Sequence, residues 1–159
     1  MILHSIPPIL DERSEILILG SFPSVKSREA QFFYGHPQNR FWRVLAEVLG
    51  VPCPWTVDEK KRLLLEHRIA LWDVIGACEI TGSADTSIRN AVPNDLSVIF
   101  DTADIHTVYL NGSTAKRYYD RYLRDRCSRD AICLPSTSPA NAAWSLARLV
   151  EAWRVILAD

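Results

Sequence analysis

The sequence predicts an α/β protein, a three-layer α/β/α sandwich with a roughly four-stranded parallel sheet. Four short and nearly continuous apolar runs, at residues 15–20, 69–73, 105–110 and 131–134, are typical of strands buried on both faces. Helical patterns lie between these runs, and strands that alternate with helices indicate βαβ units with right-handed crossovers. A length of 159 residues corresponds to a single domain spanning 1–159.

The first two helices are predicted between the first and second strands. The earlier one has apolar residues at helical spacing: Phe41, Leu45 and Val48. Gly50 suits the position just after its last turn, where a left-handed backbone conformation is common. Asp58 is predicted to cap the second helix, which reaches His67.

The last two helices follow the third and fourth strands. Residues 114–123 carry Ala115, Tyr118, Tyr119 and Tyr122 at helical spacing. In the final helix Ser138 is the predicted N-cap and Pro139 the first helical residue. Its predicted buried stripe consists of Leu146, Leu149, Val150, Trp153 and Leu157.

Composition and charge exclude several classes of protein. The chain has 48% hydrophobic and 23% charged residues, which is ordinary for a globular domain and excludes collagen-like or disordered chains. No apolar run approaches the roughly 20 residues of a membrane helix, and no signal peptide is visible. With 18 basic and 19 acidic residues the net charge is −1, so any polyanion must be bound by a local patch.

The four cysteines do not form a metal-binding pattern. Cys53, Cys78, Cys127 and Cys133 include no C-x-x-C pair, and no histidine lies at zinc-finger spacing. We therefore expect no metal and no cofactor, and reduced thiols in a cytoplasmic, monomeric protein.

Three segments carry most of the polar chemistry. Residues 20–24 and 134–141 follow the first and last strands, and ligand crevices of parallel sheets lie at the carboxyl ends of strands. Residues 32–42 place five aromatics among His36, Gln38, Asn39 and Arg40, which suits a pocket for a planar heterocycle. Residue types alone leave simpler interpretations open: a Gly/Pro turn for 20–24, a helix entry for 32–42 and an N-cap loop for 134–141.

These segments together resemble motifs of the uracil-DNA glycosylase superfamily. Gly-Ser-Phe-Pro-Ser at 20–24 stands at its first motif, and His-Pro-Gln-Asn-Arg-Phe-Trp at 36–42 is similar to a block of the mismatch-specific branch. Leu-Pro-Ser-Thr-Ser-Pro-Ala at 134–140 resembles the second motif, a loop that enters the DNA minor groove. All three segments read like the hypoxanthine-DNA (deoxyinosine) glycosylase branch, and the likeness covers most of the chain.

The resemblance implies a DNA repair enzyme for base excision. Such an enzyme flips a deaminated base out of the DNA and hydrolyses its N-glycosidic bond, without metal or cofactor. Phe22 stands where many relatives have an acid or amide that handles the attacking water, and Ser136 where relatives have a His or Asn that contacts the base. Both departures favour hypoxanthine over uracil. Alternatives are a uracil or G:T/U mismatch glycosylase, and a catalytically silent nucleic-acid-binding module on the same fold.

The resemblance also assigns roles to individual residues. Asn39 is the expected catalytic residue, because the hypoxanthine branch gives this role to the Asn of its Gln-Asn-Arg-Phe-Trp block. The expected base-binding residues are Ser21, Phe22, Phe33, Tyr34 and Ser136. The expected DNA-binding residues are Ser24, His36, Ser136, Thr137, Ser138, Pro139, Ala140 and Asn141. Hydroxyls and free N–H groups at the predicted start of the last helix would bind phosphates there.

Overall fold

A computed structural model describes residues 1–158 and has a four-stranded parallel sheet at its centre. The described chain forms these strands: β1 (Ile2–Leu3), β2 (Ile16–Gly20), β3 (Ile69–Asp73), β4 (Ile75–Glu79), β5 (Arg89–Pro93), β6 (Thr107–Asn111) and β7 (Ala131–Leu134). The central sheet has the order β3-β2-β6-β7, and all three pairings are parallel. Its four strands are those that the apolar runs predict.

Helices cover both faces of this sheet. They are α1 (Val25–Ala30), α2 (Phe41–Leu49), α3 (Val57–Glu66), α4 (Ser97–Thr102), α5 (Ser113–Tyr122), α6 (Arg124–Cys127) and α7 (Leu146–Trp153). Ile16 and Ile18 of β2 pack in one core with α2, α3 and α7. Leu17 and Leu19, on the opposite face of the strand, pack in a second core with α4 and α5. The predicted three-layer sandwich is therefore confirmed.

A second sheet was not predicted. Strands β1, β4 and β5 form an antiparallel sheet of order β1-β4-β5 beside the central one. Strand β1 has only two residues, and β5 reads Arg-Asn-Ala-Val-Pro, so neither shows an apolar alternation. This sheet fixes the N-terminus: the His4 N–H donates to the Gly76 carbonyl at 2.8 Å.

The predicted helix boundaries are partly correct. Helix α2 ends at Gly50 with a φ of 69°, as its glycine predicts. Helix α3 begins two residues earlier than the Asp58 cap implies. Its N-cap is Thr56, whose hydroxyl accepts from the Glu59 N–H while the Glu59 carboxylate accepts from the Thr56 N–H.

The prediction that the final helix begins at Ser138 and Pro139 was wrong. Helix α7 begins at Leu146, and its N-cap is Ser145, whose hydroxyl accepts from the Arg148 N–H. Residues 138–144 instead form turns. Within them the Ser138 hydroxyl accepts from the Ala140 N–H, so a local turn replaces the expected cap.

The predicted stripe of the final helix is confirmed only in its middle. Leu149, Val150 and Trp153 are buried, whereas Leu146 and Leu157 are 36% and 52% exposed. The two exposed leucines lie at the first turn of α7 and in the 3₁₀ turn Arg154–Ala158 that follows it.

No helix within residues 1–158 is long and apolar enough to cross a membrane. The same residues contain no cluster of three or more metal-ligating side chains.

Candidate active site

A crevice of about 460 Å³ opens at the carboxyl ends of the parallel strands. Gly20, Asp73 and Asn111 end three neighbouring strands and form its floor. All the residues assigned to catalysis, base contact or DNA contact line this crevice except Asn141. They are Ser21, Phe22, Ser24, Phe33, Tyr34, His36, Asn39, Ser136, Thr137, Ser138, Pro139 and Ala140. The three sequence segments thus converge on one site.

Aromatic rings form the walls of the crevice. Phe22 and Phe33 are buried, and both rings lie about 6 Å from the His4 imidazole. Tyr34 stacks on Phe41 with ring centroids 4.1 Å apart. One face of Tyr34 is therefore covered by protein.

The Tyr34 hydroxyl remains a neutral hydrogen-bond donor. Burial, reinforced by the negative charge of Asp73, raises the pKa of Tyr34 well above its ordinary value. Its oxygen accepts from the Asn111 side-chain amide at 3.1 Å, which leaves its own proton available.

A chain of hydrogen bonds runs beneath the crevice. Asn111 Nδ2 donates both to the Tyr34 hydroxyl and to Thr137 Oγ1, and Asn111 Oδ1 accepts from the Thr137 N–H. Thr137 Oγ1 in turn donates to Asn39 Oδ1 at 2.9 Å. Thr137 is completely buried, so the expectation that it contacts DNA is wrong: its hydroxyl connects Asn111 to Asn39.

These hydrogen bonds determine which atom of Asn39 is available to a bound group. Asn39 Oδ1 accepts from Thr137 Oγ1 and from the Phe41 N–H at 3.0 Å, and these two donors fix the orientation of the amide. No acceptor within residues 1–158 is bonded to Nδ2, although Asn39 lines the crevice. Asn39 can therefore donate hydrogen bonds to a bound group, and its oxygen is not free to act as a base.

Two polar side chains on the crevice floor, Asp73 and Tyr34, approach Gly20 very closely. A Cβ on this residue would lie 2.5 Å from Asp73 Oδ1 and 2.8 Å from the Tyr34 hydroxyl. Only glycine leaves both polar atoms room to stand side by side at the end of β2.

Asp73 is held by a buried histidine. His4 Nε2 lies 2.8 Å from Asp73 Oδ2, and the His4 side chain is fully buried. His4 Nδ1 is buried without a hydrogen-bond partner. An unpaired acceptor is tolerated better than an unpaired N–H donor, so we assign the proton to Nε2, which donates to the carboxylate. Among the described residues no donor is bonded to Oδ1, which faces the crevice.

A second carboxyl group lines the crevice. Asp85 accepts from the Ser21 hydroxyl at 3.2 Å on each of its oxygens. Burial raises the pKa of Asp85 above its ordinary value, and the hydrogen bonds from Ser21 and Thr114 oppose this shift only in part.

Arg40 shapes the loop on the other side of the crevice. Its guanidinium donates to the carbonyls of Ser138 and Asn141 at 3.3 and 3.1 Å, and also to that of Trp144. Its own N–H donates to the Thr137 carbonyl. A planar fork with several donors is suited to holding a turn that has no helical hydrogen bonds.

Replacing Arg40 should therefore loosen this loop. We expect Arg40→Ala to lower the free energy of unfolding by about 2 kcal/mol, because several charge-assisted bonds to half-buried carbonyls are lost. Arg40→Lys should recover less than half of this loss, since a single ammonium cannot reach three carbonyls. Urea unfolding measures both effects. Arg43→Ala is the matched control, because Arg43 is exposed on the same helix, and a loss as large as that of Arg40→Ala would contradict the prediction.

Two residues that were expected to contact DNA, Ser24 and Asn141, use their side chains in hydrogen bonds within the protein. Ser24 is the N-cap of α1: its oxygen accepts from the Ser27 N–H. Asn141 lies outside the crevice lining, and its side-chain amide donates to the Ser136 carbonyl. Because α7 starts at Leu146, the proposed phosphate site at a helix N-terminus beside Pro139 does not exist.

Sequence reasoning missed four residues of the site. Asp73 and Asn111 are polar residues at the ends of apolar strands, a signal that points to the carboxyl edge of the sheet. Asp85 follows a turn, and His4 precedes the first long strand. Nothing in the local sequence distinguishes either of them from a surface residue.

A crevice with aromatic walls and a floor of carboxylate, amide and phenol groups is the site of an α/β enzyme that acts on a planar ring. Comparison with known proteins narrows this class. The family model of the uracil DNA glycosylase superfamily matches residues 7–157. The chain belongs to this superfamily and is a DNA glycosylase, as its three motifs predict.

Similar proteins come from two Methanosarcina species. A hypoxanthine DNA glycosylase of Methanosarcina acetivorans is 38% identical over 158 residues, 98% of either chain. Another, of Methanosarcina barkeri, is 38% identical over 115 residues, covering 70% of this chain and 72% of that protein. The solution structure of a candidate uracil DNA glycosylase from M. acetivorans superimposes with a TM-score of 0.80, at 34% identity over 98% of this chain and 99% of that one.

Proposed function

We propose that this DNA glycosylase removes hypoxanthine from DNA that contains deoxyinosine. The observation that carries the proposal is the pair of polar atoms beside Gly20. Asp73 Oδ1 is an acceptor and the Tyr34 hydroxyl a donor, and both lie within 3 Å of one point on the crevice floor. The names of the two Methanosarcina relatives support the same substrate.

The donor–acceptor pair matches what deamination changes in a base. Hypoxanthine presents a ring N–H beside a carbonyl, whereas adenine presents a bare ring nitrogen beside an amino group. Asp73 Oδ1 accepts the N–H and the Tyr34 hydroxyl donates to the carbonyl. Adenine reverses both partners, so its lone pair would face the carboxylate. A site built around such a bond rejects the analogue that lacks it.

Base flipping brings this edge to the floor. Extrusion of a nucleotide costs a few kcal/mol, and less where the pair is already weak. Phe22, Phe33 and the free face of Tyr34 then supply apolar contact with the ring. Ser136, Ser138 and the exposed Pro139 and Ala140 stand at the mouth, where the DNA backbone passes.

Hydrolysis follows without a covalent enzyme intermediate. No lysine that could form a Schiff base lines the crevice within the described residues, which supports water as the nucleophile. Asn39 Nδ2 donates to the oxygen of this water and orients a lone pair toward C1′ of the sugar. The C1′–N9 bond breaks as the sugar acquires oxocarbenium character, and the attacking water loses its proton to solvent.

A lesion panel tests the proposal. Duplexes that carry hypoxanthine, uracil, xanthine or a G:T mismatch are incubated with excess protein, treated with alkali and scored for strand cleavage. We expect the fastest cleavage at hypoxanthine. Much faster cleavage at uracil would replace the proposal with a uracil or mismatch glycosylase. Intact strands with every lesion would indicate a module that binds DNA without cutting it.

A further inference from the structure

Asp85 is the second carboxyl group that lines the crevice, and it has no role in the mechanism proposed so far. It begins the 3₁₀ turn Asp85–Ser87 and lines the crevice together with Asp73. Ser21 and Thr114 are its hydrogen-bond donors, and the Ser21 carbonyl is itself fixed by the Ile75 N–H at 3.0 Å. The carboxyl group is thus held in place beside the base-binding space.

The departing base needs a proton. A purine that leaves through N9 without protonation departs as an anion, and N7 is the most basic ring nitrogen of an inosine nucleoside. Phe22, which lines the same crevice, has no proton to give. General acids held in place contribute about 100-fold or more to such reactions.

We propose that Asp85 is the general acid of the reaction and gives its carboxyl proton to N7 of the departing hypoxanthine. This inference rests on the proposed function. The O–H bond of Asp85 breaks and an N7–H bond forms, while the electron pair of the C1′–N9 bond moves to the base. The base leaves as neutral hypoxanthine, and the Asp85 carboxylate takes up a proton from solvent, which has received one from the attacking water.

The surroundings of Asp85 suit an acid. Its pKa is raised chiefly by burial and further by the negative charge of Asp73, and both effects favour the protonated form. The other ionisable groups that interact with it are Tyr34, Cys78 and Arg117. Arg117 is exposed and favours the carboxylate only weakly, whereas Tyr34 and Cys78 stay neutral because burial raises the pKa of each.

The two crevice carboxyl groups therefore take opposite roles. Asp73 accepts a hydrogen bond from His4 on one oxygen and offers the other to the base. Asp85 accepts from the Ser21 hydroxyl, and burial raises its pKa, which favours the protonated form. Neighbouring carboxyl groups whose surroundings differ in this way commonly divide into an acceptor and an acid.

The test is the pH profile of the single-turnover rate on an inosine duplex. Wild-type protein should lose rate as the pH rises through the pKa of Asp85. Asp85→Asn should cut hypoxanthine excision about 100-fold and abolish this alkaline limb, because an amide has no proton to give. Asp85→Glu should restore part of the rate and the limb. Asp101→Asn, an exposed carboxyl on α4, is the matched control.

Ser21→Ala gives an independent test of the same limb. The Ser21 hydroxyl stabilises the carboxylate form and lowers the pKa of Asp85. Its removal raises that pKa, so the acid form survives to higher pH and the alkaline limb moves upward. An Asp85→Asn rate within about threefold of wild type, or a limb that Ser21→Ala leaves in place, would overturn the assignment. Loss of hypoxanthine excision by the wild-type protein would instead overturn the proposed function.

Discussion

Asn39→Ala is expected to lower the single-turnover rate of hypoxanthine excision about 100-fold or more. The side chain meets bound groups only through Nδ2, and preorganised donors of this kind are typically worth two to three orders of magnitude in rate. The rate is measured with enzyme in excess on an inosine duplex. Binding to the same duplex should stay within a few-fold of wild type, because the aromatic walls remain and Arg40 still holds the loop that loses its bond from Thr137 to Asn39.

Two further variants separate catalysis from folding at this position. Asn39→Asp keeps an oxygen for Thr137 Oγ1 and the Phe41 N–H but replaces the Nδ2 donor with an acceptor, so it should be as slow as Asn39→Ala. Thr137→Val removes the hydroxyl that donates to Asn39 Oδ1 and accepts from Asn111 Nδ2, and it should lose about tenfold in rate because one of the two donors that orient the Asn39 amide is gone. A fully active Asn39→Asp with wild-type melting temperature would return Asn39 to the role of a turn-forming residue before α2.

The central sheet was predictable because strands that are buried on both faces consist almost entirely of apolar residues. Strands β2 and β3 are apolar almost throughout, so their positions follow from the sequence alone. The small sheet was not predictable, since β5 is half exposed and its pairing depends on partners far along the chain. His4, which this sheet positions, was missed for the same reason.

The convergence of the three motifs on one crevice was predictable from the geometry of parallel sheets, in which strand ends share one edge. The residue at which α7 begins was not predictable from the sequence. Ser138-Pro139 is a good start signal for a helix, and Ser145 is another. Arg40, about a hundred residues away, holds the carbonyls of the intervening turns, and this tertiary contact decides between the two starts.

Asp73→Asn is the second change with a large expected effect, and it should alter which base the crevice accepts. His4 Nε2 donates to one oxygen of Asp73. In the variant the amide oxygen will take that position, because the reverse arrangement would bury an unpaired His4 Nδ1–H. The amide NH₂ then faces the crevice where Oδ1 stood, so a donor meets the ring N–H of hypoxanthine. We expect excision of hypoxanthine to fall about 100-fold.

The same substitution should improve the fit of adenine, whose bare ring nitrogen accepts from the new donor. Competition with non-cleavable 2′-fluoro-arabino duplexes of hypoxanthine and adenine measures this change as a ratio of dissociation constants. The wild-type protein should prefer hypoxanthine, and Asp73→Asn should reduce this preference by at least tenfold while thermal melting stays within a few degrees of wild type. Asp104→Asn, on an exposed loop, is the control for loss of one negative charge. If the variant kept both the rate and the preference of wild type, Asp73 would serve only to anchor His4, and the crevice would have to recognise its base through other groups.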